Sequence, residues 1–220
     1  MNVHRLALAA LALSVAAPAC SYPTSLNVIP SADVLDPGIV RIELESDGAH
    51  TPFTGDADAY LFTQYGFTSR FEAGVDLVNL GTGPSAQLNA KWQFLPEGRD
   101  VPAAAVGVLD LAHSGLFSGW YVTLAKDAGP VRLHAGCVVD DSPRAVLGAE
   151  YCPTDHTELL ADWTTGPKAY HSAGVGQDLG HGLWLWAYYA RDNTRGAGDF
   201  AGLNLSWETS LRRRSATERK

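Results

Sequence analysis

Beyond its first residues, the sequence has no apolar run long enough for a membrane-crossing helix, which needs about 20 residues. The one uncharged apolar run, Leu6 to Ala17, is shorter and sits at the very start. Cysteine is scarce, at three residues, too few for a disulfide-built scaffold. Basic charge is scarce as well. Between residues 20 and 210 there are ten Lys and Arg against 23 Asp and Glu, a sign that disfavours nucleic acid as a partner. Catalytic signatures are missing: no G-x-S-x-G, H-E-x-x-H, phosphate loop or spaced Cys/His metal set is present. The six histidines after the first run are dispersed. His113-Ser114 and His171-Ser172 are adjacent, so on strands their side chains point to opposite faces. No catalytic residue, metal site or cofactor is therefore expected, and the chain reads as a non-enzyme.

The start of the chain has its own logic. His4 and Arg5 precede the apolar run, and Ala17-Pro18-Ala19 fits the small-x-small cleavage rule of a secretory leader over residues 1–19. Cys20 follows directly, which leaves two options open: a lipid-anchored N-terminus, or ordinary cleavage that leaves Cys first. For Cys137 and Cys152, a turn at Asp140–Pro143 would set the two about 20 Å apart along neighbouring strands, beyond disulfide reach. Both are expected to be isolated. The tail, residues 209–220, carries R-R-R-S-A-T-E-R-K and has the composition of a disordered segment.

What the sequence does contain is alternation. In S-A-Q-L-N-A-K-W-Q-F-L, residues 85–95, Ala86, Leu88, Ala90, Trp92 and Phe94 alternate with Gln87, Asn89, Lys91 and Gln93. A period of two means a strand with one apolar and one polar face. Nine such residues span about 30 Å, and an aromatic end suits a lipid–water boundary. Similar segments recur near 39–46, 58–66, 70–79, 85–95, 101–111, 118–126, 130–139, 145–152, 156–165, 169–178, 182–190 and 199–208. The breaks between them are rich in Gly, Pro, Asn, Asp and Ser. The expectation is an all-β fold, a single antiparallel up-and-down transmembrane barrel of about twelve strands over residues 39–208, with residues 20–38 as a lead-in. An even strand number places both termini on the short-turn side.

An internal echo accompanies the strands. Q-Y-G-F-T-S-R-F-E-A-G-V-D-L at 64–77 aligns with E-Y-C-P-T-D-H-T-E-L-L-A-D-W at 150–163. Each copy has a Tyr (65, 151) before a tight turn and acidic residues (72 and 76, 158 and 162) after it. Y-G-F-T-S-R-F-E-A-G-V-D-L resembles the tyrosine, tight-turn, acidic-strand hairpin of bacterial outer-membrane β-barrel proteins. The opening S-L-N-V-I-P-S-A-D-V-L-D-P-G-I-V-R-I-E-L is similar to the lead-in and first strand of uncharacterised barrels of that kind, some linked to exopolysaccharide export. The resemblance implies export to the outer membrane of a Gram-negative-type envelope, lipid as surroundings, and envelope or polysaccharide-export components as partners. One departure stands out: such barrels usually end on an aromatic residue, whereas this chain continues past Trp207.

In lipid the soluble rule is inverted, with apolar side chains out and polar ones in. The outward set is Val40, Ile42, Leu44, Phe71, Val75, Leu77, Leu88, Trp92, Phe94, Val122, Leu124, Leu133, Leu147, Leu159 and Trp163. The inward charged set is Arg41, Glu43, Glu72, Asp76, Lys91, Arg132, Glu150, Glu158 and Asp162, with Gln87, Asn89 and His134 beside them. Mixed charge in a narrow lumen favours paired, closed networks. The expectation is therefore a narrow or plugged barrel with a transport, export or structural role and an unidentified substrate. Strand eleven is apolar on both faces, and Trp184, Trp186 and Tyr188 form a candidate ligand-stacking row. Two alternatives remain: a soluble periplasmic barrel or sandwich that binds a small ligand, and a barrel lipid hydrolase. A soluble barrel should carry its apolar residues inward.

Overall fold

A computed structural model of the chain describes residues 25–49, 52, 57–81, 83–111, 119–167, 169–194 and 198–211. The expected leader over residues 1–19, Cys20, His50, His113 and most of the basic tail fall outside the described residues. The fold is a closed antiparallel barrel in which every strand pairs with its chain neighbours and the last pairs with the first. The strands are β1 (Ile39–Gly48), β2 (Asp58–Thr68), β3 (Phe71–Val78), β4 (Ser85–Leu95), β5 (Ala103–Leu109), β6 (Gly119–Ala128), β7 (Val131–Val139), β8 (Pro143–Thr154), β9 (Thr157–Thr164), β10 (Tyr170–Gly180), β11 (Leu183–Asp192) and β12 (Phe200–Ser210). Closure runs from Ile39 opposite Ser210 to Gly48 opposite Ala201. Closure leaves no free edge, so every strand can satisfy its backbone within the barrel, as a bilayer demands.

Each strand lies within a few residues of its expected position, because the turn residues set the hairpins. The two ends of the barrel differ. At the end that carries both termini, β2–β3, β6–β7, β8–β9 and β10–β11 are joined by two residues each, and only 96–102 is longer. At the opposite, loop end, the connections 49–57, 110–118 and 193–199 are long. Four register shifts, at Gly66/Thr68, Gln93/Leu95, Tyr151/Thr154 and Asp178/Gly180, all sit at the terminal end. Bulges concentrate at barrel rims in this way.

The outside is a lipid-facing surface. Leu44 (51% exposed), Val75, Leu88, Leu124, Leu133, Leu147, Leu159 and Val175 form an exposed apolar belt. Exposed aromatic residues bracket it. Phe67, Phe71, Trp92, Phe94, Tyr151 and Trp207 lie toward the terminal end, and Trp120, Trp163 and Tyr189 toward the loop end. Tyr65 stands beside Phe67 with ring centroids 4.8 Å apart. At the loop end the polar tips reach for water-side groups: Trp163 Nε1 donates to Asn193 Oδ1 at 3.2 Å, and the Tyr189 hydroxyl to Asp199 at 2.6 Å. An apolar band between two aromatic girdles is the surface a membrane barrel presents to a bilayer. It is the inverse of what the soluble alternative requires.

The interior is not empty. Residues 25–38 fold back through the terminal end and run inside the wall. Asp36-Pro37-Gly38-Ile39 makes the reversal, with Ile39 N–H donating to Asp36 O at 3.0 Å and Gly38 at φ 88°. A positive φ at the third position, preceded by Pro, is the geometry of a type II turn. Gly38 N–H also donates to Gly66 O, and Leu211 N–H to Gly38 O, which fixes the reversal to β2 and to the end of β12.

One expectation needs correction. Cys137 is a free thiol, but Cys152 is disulfide-bonded, not isolated. The separation argument holds only for the pair it addressed. The partner of Cys152 lies outside the described residues.

Candidate functional site: a plugged lumen

The lead-in is seated against a wall of small residues. Leu26 and Ile29 pack with Val146, Leu160 and Trp186, and Ala32 packs with Ala103, Ala105 and Ala125. A Cβ placed on Gly148 would lie 2.6 Å from Leu26 Cδ2 and 3.0 Å from Ile29 Cδ1, and one on Gly174 would lie 2.5 Å from Asn27 Oδ1. Inward glycines and alanines on β5, β6, β8 and β10 thus clear the volume that the plug fills. At the tip, Ser25 bridges to Pro30, and Leu26 N–H donates to Ile29 O at 2.9 Å.

Polar contacts fix the plug at three depths. Nearest the terminal end, Arg132 on β7 holds Asp33 through two parallel bonds, Nε to Oδ2 at 2.9 Å and Nη2 to Oδ1 at 2.6 Å. Beside it, Glu72 divides its oxygens: Oε2 accepts from Leu35 N–H at 2.7 Å, and Oε1 lies 3.1 Å from Lys91 Nζ. Lys91 also donates to Asp33 O at 2.6 Å, and Gln93 Nε2 to Ala32 O at 3.0 Å. Toward the loop end, Asp162 accepts from Val28 N–H at 2.9 Å and from the Ser172 hydroxyl, while Asn27 donates to Ser172 Oγ at 2.9 Å. Wall carboxylates therefore supply the acceptors that two plug amides need. A buried segment without strand partners depends on such acceptors.

Arg41, Glu43, Glu72, Asp76, Lys91, Glu150, Glu158 and Asp162 are all buried, and Arg132 is half-buried near the rim. On a one-layer wall with an exposed apolar outside, these side chains point inward. Their pairing differs from the network expected. Lys91 takes Glu72. Arg41 takes Glu208 at the terminal end, with Nε donating at 2.8 Å. Arg132 takes the plug's Asp33 together with Glu97 and Asp127 at the rim. Inside, Asn204 donates to Glu43, Asn89 donates to Asp76, and His134 Nε2 lies 3.0 Å from Glu150 Oε1. Sequence alternation carries no information on the lead-in or on the rim acids that claim two of the cations.

Above the plug a cavity of about 250 Å³ remains. The plug tip closes one side, and Glu43, Glu45, Phe62, Asp76, Tyr121, Trp186, Tyr188 and Asn204 line much of the rest. Of the expected stacking row, Trp186 and Tyr188 reach this cavity. Trp184 does not; it stacks on Trp186, centroids 5.3 Å apart, and packs against the core beside the plug. The inward aromatics occupy slots cleared by cross-strand glycines. Trp186 lies opposite Gly176, Tyr188 opposite Gly202 and Tyr121 opposite Gly107, and a Cβ at any of these glycines would fall 2.1 or 2.2 Å from the ring. Tyr188 is held further by donating its hydroxyl to Glu45 Oε1 at 2.8 Å.

His171 and Ser172 face opposite ways as alternation requires: Ser172 bonds in the lumen, and His171 lies outside, 3.3 Å from Asn193 Oδ1. Among the described residues no group of three or more His, Cys, Asp or Glu is placed to hold a metal.

Comparisons with known proteins agree with the architecture. Residues 85–142, from β4 into the β7–β8 turn, match the YjbH family, described as exopolysaccharide biosynthesis protein YbjH. The chain is similar to the solved structure of the KdgM porin, at TM-score 0.56 and 8% identity, over 76% of this chain and 98% of that one. It is likewise similar to the outer-membrane protein Omp33 of Acinetobacter baumannii, at TM-score 0.53 and 8% identity, over 77% and 97%. No curated protein matches the chain. At these identities the likeness speaks for the fold. With its apolar belt and aromatic girdles, the chain is a β-barrel of the outer-membrane type.

Proposed function

We propose that this is an outer-membrane barrel with a transport or export role whose lumen is kept closed by its own lead-in. One observation carries the reading: residues 26–35 are packed in the lumen and bonded to the wall through Glu72, Lys91, Arg132 and Asp162. A twelve-stranded wall encloses less room than the sixteen or more strands of an aqueous porin, and here a chain segment takes up part of it. The belt argues against a soluble ligand-binding barrel, and the opposed faces of His171 and Ser172 argue against a lipid hydrolase. The match of 85–142 supports a place among envelope components that handle exopolysaccharide.

Planar-bilayer recording tests the proposal. The full chain should be nearly silent, and a variant without residues 25–36 should conduct steadily. A large steady conductance from the full chain would overturn it.

A further inference from the structure

The cavity above the plug has a charge problem that its own wall does not solve. Glu45 accepts from the Tyr188 hydroxyl and the Asn204 amide, and Asp76 accepts from Asn89. Among the described residues neither is paired with a Lys or Arg. Arg41 and Lys91 also line the cavity, but they take Glu208 and Glu72. The charged groups acting most on Glu45 and Asp76 are Glu43 and Asp47 for the first and Glu43 for the second. Two buried oxygens on the same cavity have no hydrogen-bond partner among the described residues: Asp76 Oδ1 and Asn204 Oδ1. Both residues are more than nine-tenths buried, at 8% and 5% exposure. The amide orientation of Asn204 is fixed, because its Nδ2 donates to Glu43 and Glu45. Its oxygen is therefore left as an acceptor.

Buried carboxylates with acidic neighbours are neutralised either by a proton or by a bound cation, and both orphaned atoms ask for a donor. An ammonium group is all donor and carries the missing charge. The aromatic residues Trp186, Tyr188 and Phe62 also line the cavity and supply apolar surface for the organic part of a ligand. At about 30 Å³ per water, the cavity has room for roughly eight waters or one ring-sized molecule, too much for a bare ion. We propose that it binds a small organic cation bearing a primary ammonium.

The inward row on β1 supports entry from the loop end. Arg41, Glu43, Glu45 and Asp47 run from the terminal end to the loop end, and Asp58 lies directly opposite Asp47. The acidic row thus raises the local concentration of cations at the loop end of the lumen. The proposal rests on the plugged-lumen reading for its floor: a cation entering this way stops at the plug tip.

Isothermal titration calorimetry on the purified full chain in detergent, with glucosamine, 1,4-diaminobutane and glucose, provides the test. All three are water-soluble and stay out of micelles, and glucosamine differs from glucose by one ammonium. At least one amine should bind about tenfold or more tightly than glucose, a difference of about 1.4 kcal/mol. Glu45→Gln and Asp76→Asn should each weaken it several-fold, with Leu124→Ala, on the lipid face, unchanged. Heat-shifted migration on gels checks that each variant is folded. Equal binding of glucose and the amines, or no binding of either amine at millimolar concentration, would overturn the proposal. Bilayer silence is recorded without amine, so failure of this site and failure of the plug are read separately.

Discussion

Arg132 grips Asp33 in a fork, two parallel bonds of 2.9 and 2.6 Å between the wall and the plug. The same guanidinium reaches Glu97 at 2.7 Å and Asp127 at 2.6 Å through Nη1. One side chain thus ties the plug to the rim, and a planar fork does this where a point charge cannot. Arg132→Lys keeps the charge and loses the fork. It should cost about 2 kcal/mol and turn a silent barrel into one with frequent openings in bilayer recordings. Silence equal to that of the parent would mean that the fork does not hold the plug.

The two faces of β4 should respond in opposite ways. Leu88 sits in the belt opposite Val75, and Leu88→Arg should cost roughly 2–4 kcal/mol in lipid. Lys91 is buried against Glu72, so Lys91→Met strands a carboxylate and should cost about 3–5 kcal/mol. Lys91→Met with Glu72→Gln, which removes the stranded charge and keeps an acceptor for Leu35 N–H, should recover most of that loss. Urea unfolding in liposomes measures all three. A single loss as large as the double loss would deny the pair.

The strands were legible because alternation and turn chemistry act locally. Gln87, Asn89 and Lys91 fall on one face from spacing alone, and Gly129-Pro130 or His181-Gly182 mark a hairpin without tertiary information. That the lead-in fills the lumen was not, because Leu26, Ile29, Ala32 and Leu35 recur every third residue, a spacing that belongs to neither helix nor strand. All four are at most 3% exposed. That period, read together with the inward Ala103, Ala105, Ala125, Gly148 and Gly174, was the available signal. The partners of Arg41 and Arg132 were not legible in the alternation, since Glu208 and Glu97 lie at the rim and Asp33 on the lead-in.

Gly202 tests the glycine slots. A methyl there would meet the Tyr188 ring at 2.1 Å, so Gly202→Ala should displace the ring from Glu45. Overpacking of this kind costs about 1–3 kcal/mol. The change should appear as a loss of stability together with altered Tyr near-ultraviolet circular dichroism. An unchanged spectrum and stability would put the ring elsewhere.

Glu97, in the 96–102 connection, gives a pH signature. Partial burial pushes its carboxyl up, but hydrogen bonds from Lys126, Arg132 and the Asp127 amide outweigh that and hold it at about 2. A folded-state value below the unfolded one means stabilisation that is complete above about pH 4.5 and lost as pH falls toward 2. Glu97→Gln should therefore lower stability by roughly 1 kcal/mol at pH 7 and flatten the acid decline. Parallel pH curves for the two proteins would contradict the assignment.

Ile29 offers the most direct view of the plug, since only 1% of it is exposed in the lumen. A thiol placed there by Ile29→Cys, with Cys137→Ser to remove the native free thiol, can be titrated with a small maleimide in the folded barrel. Protection by several orders of magnitude relative to the urea-unfolded chain is the expected result. Labelling at the unfolded rate, in a protein whose gel migration shows an intact barrel, would mean that the lead-in does not occupy the lumen.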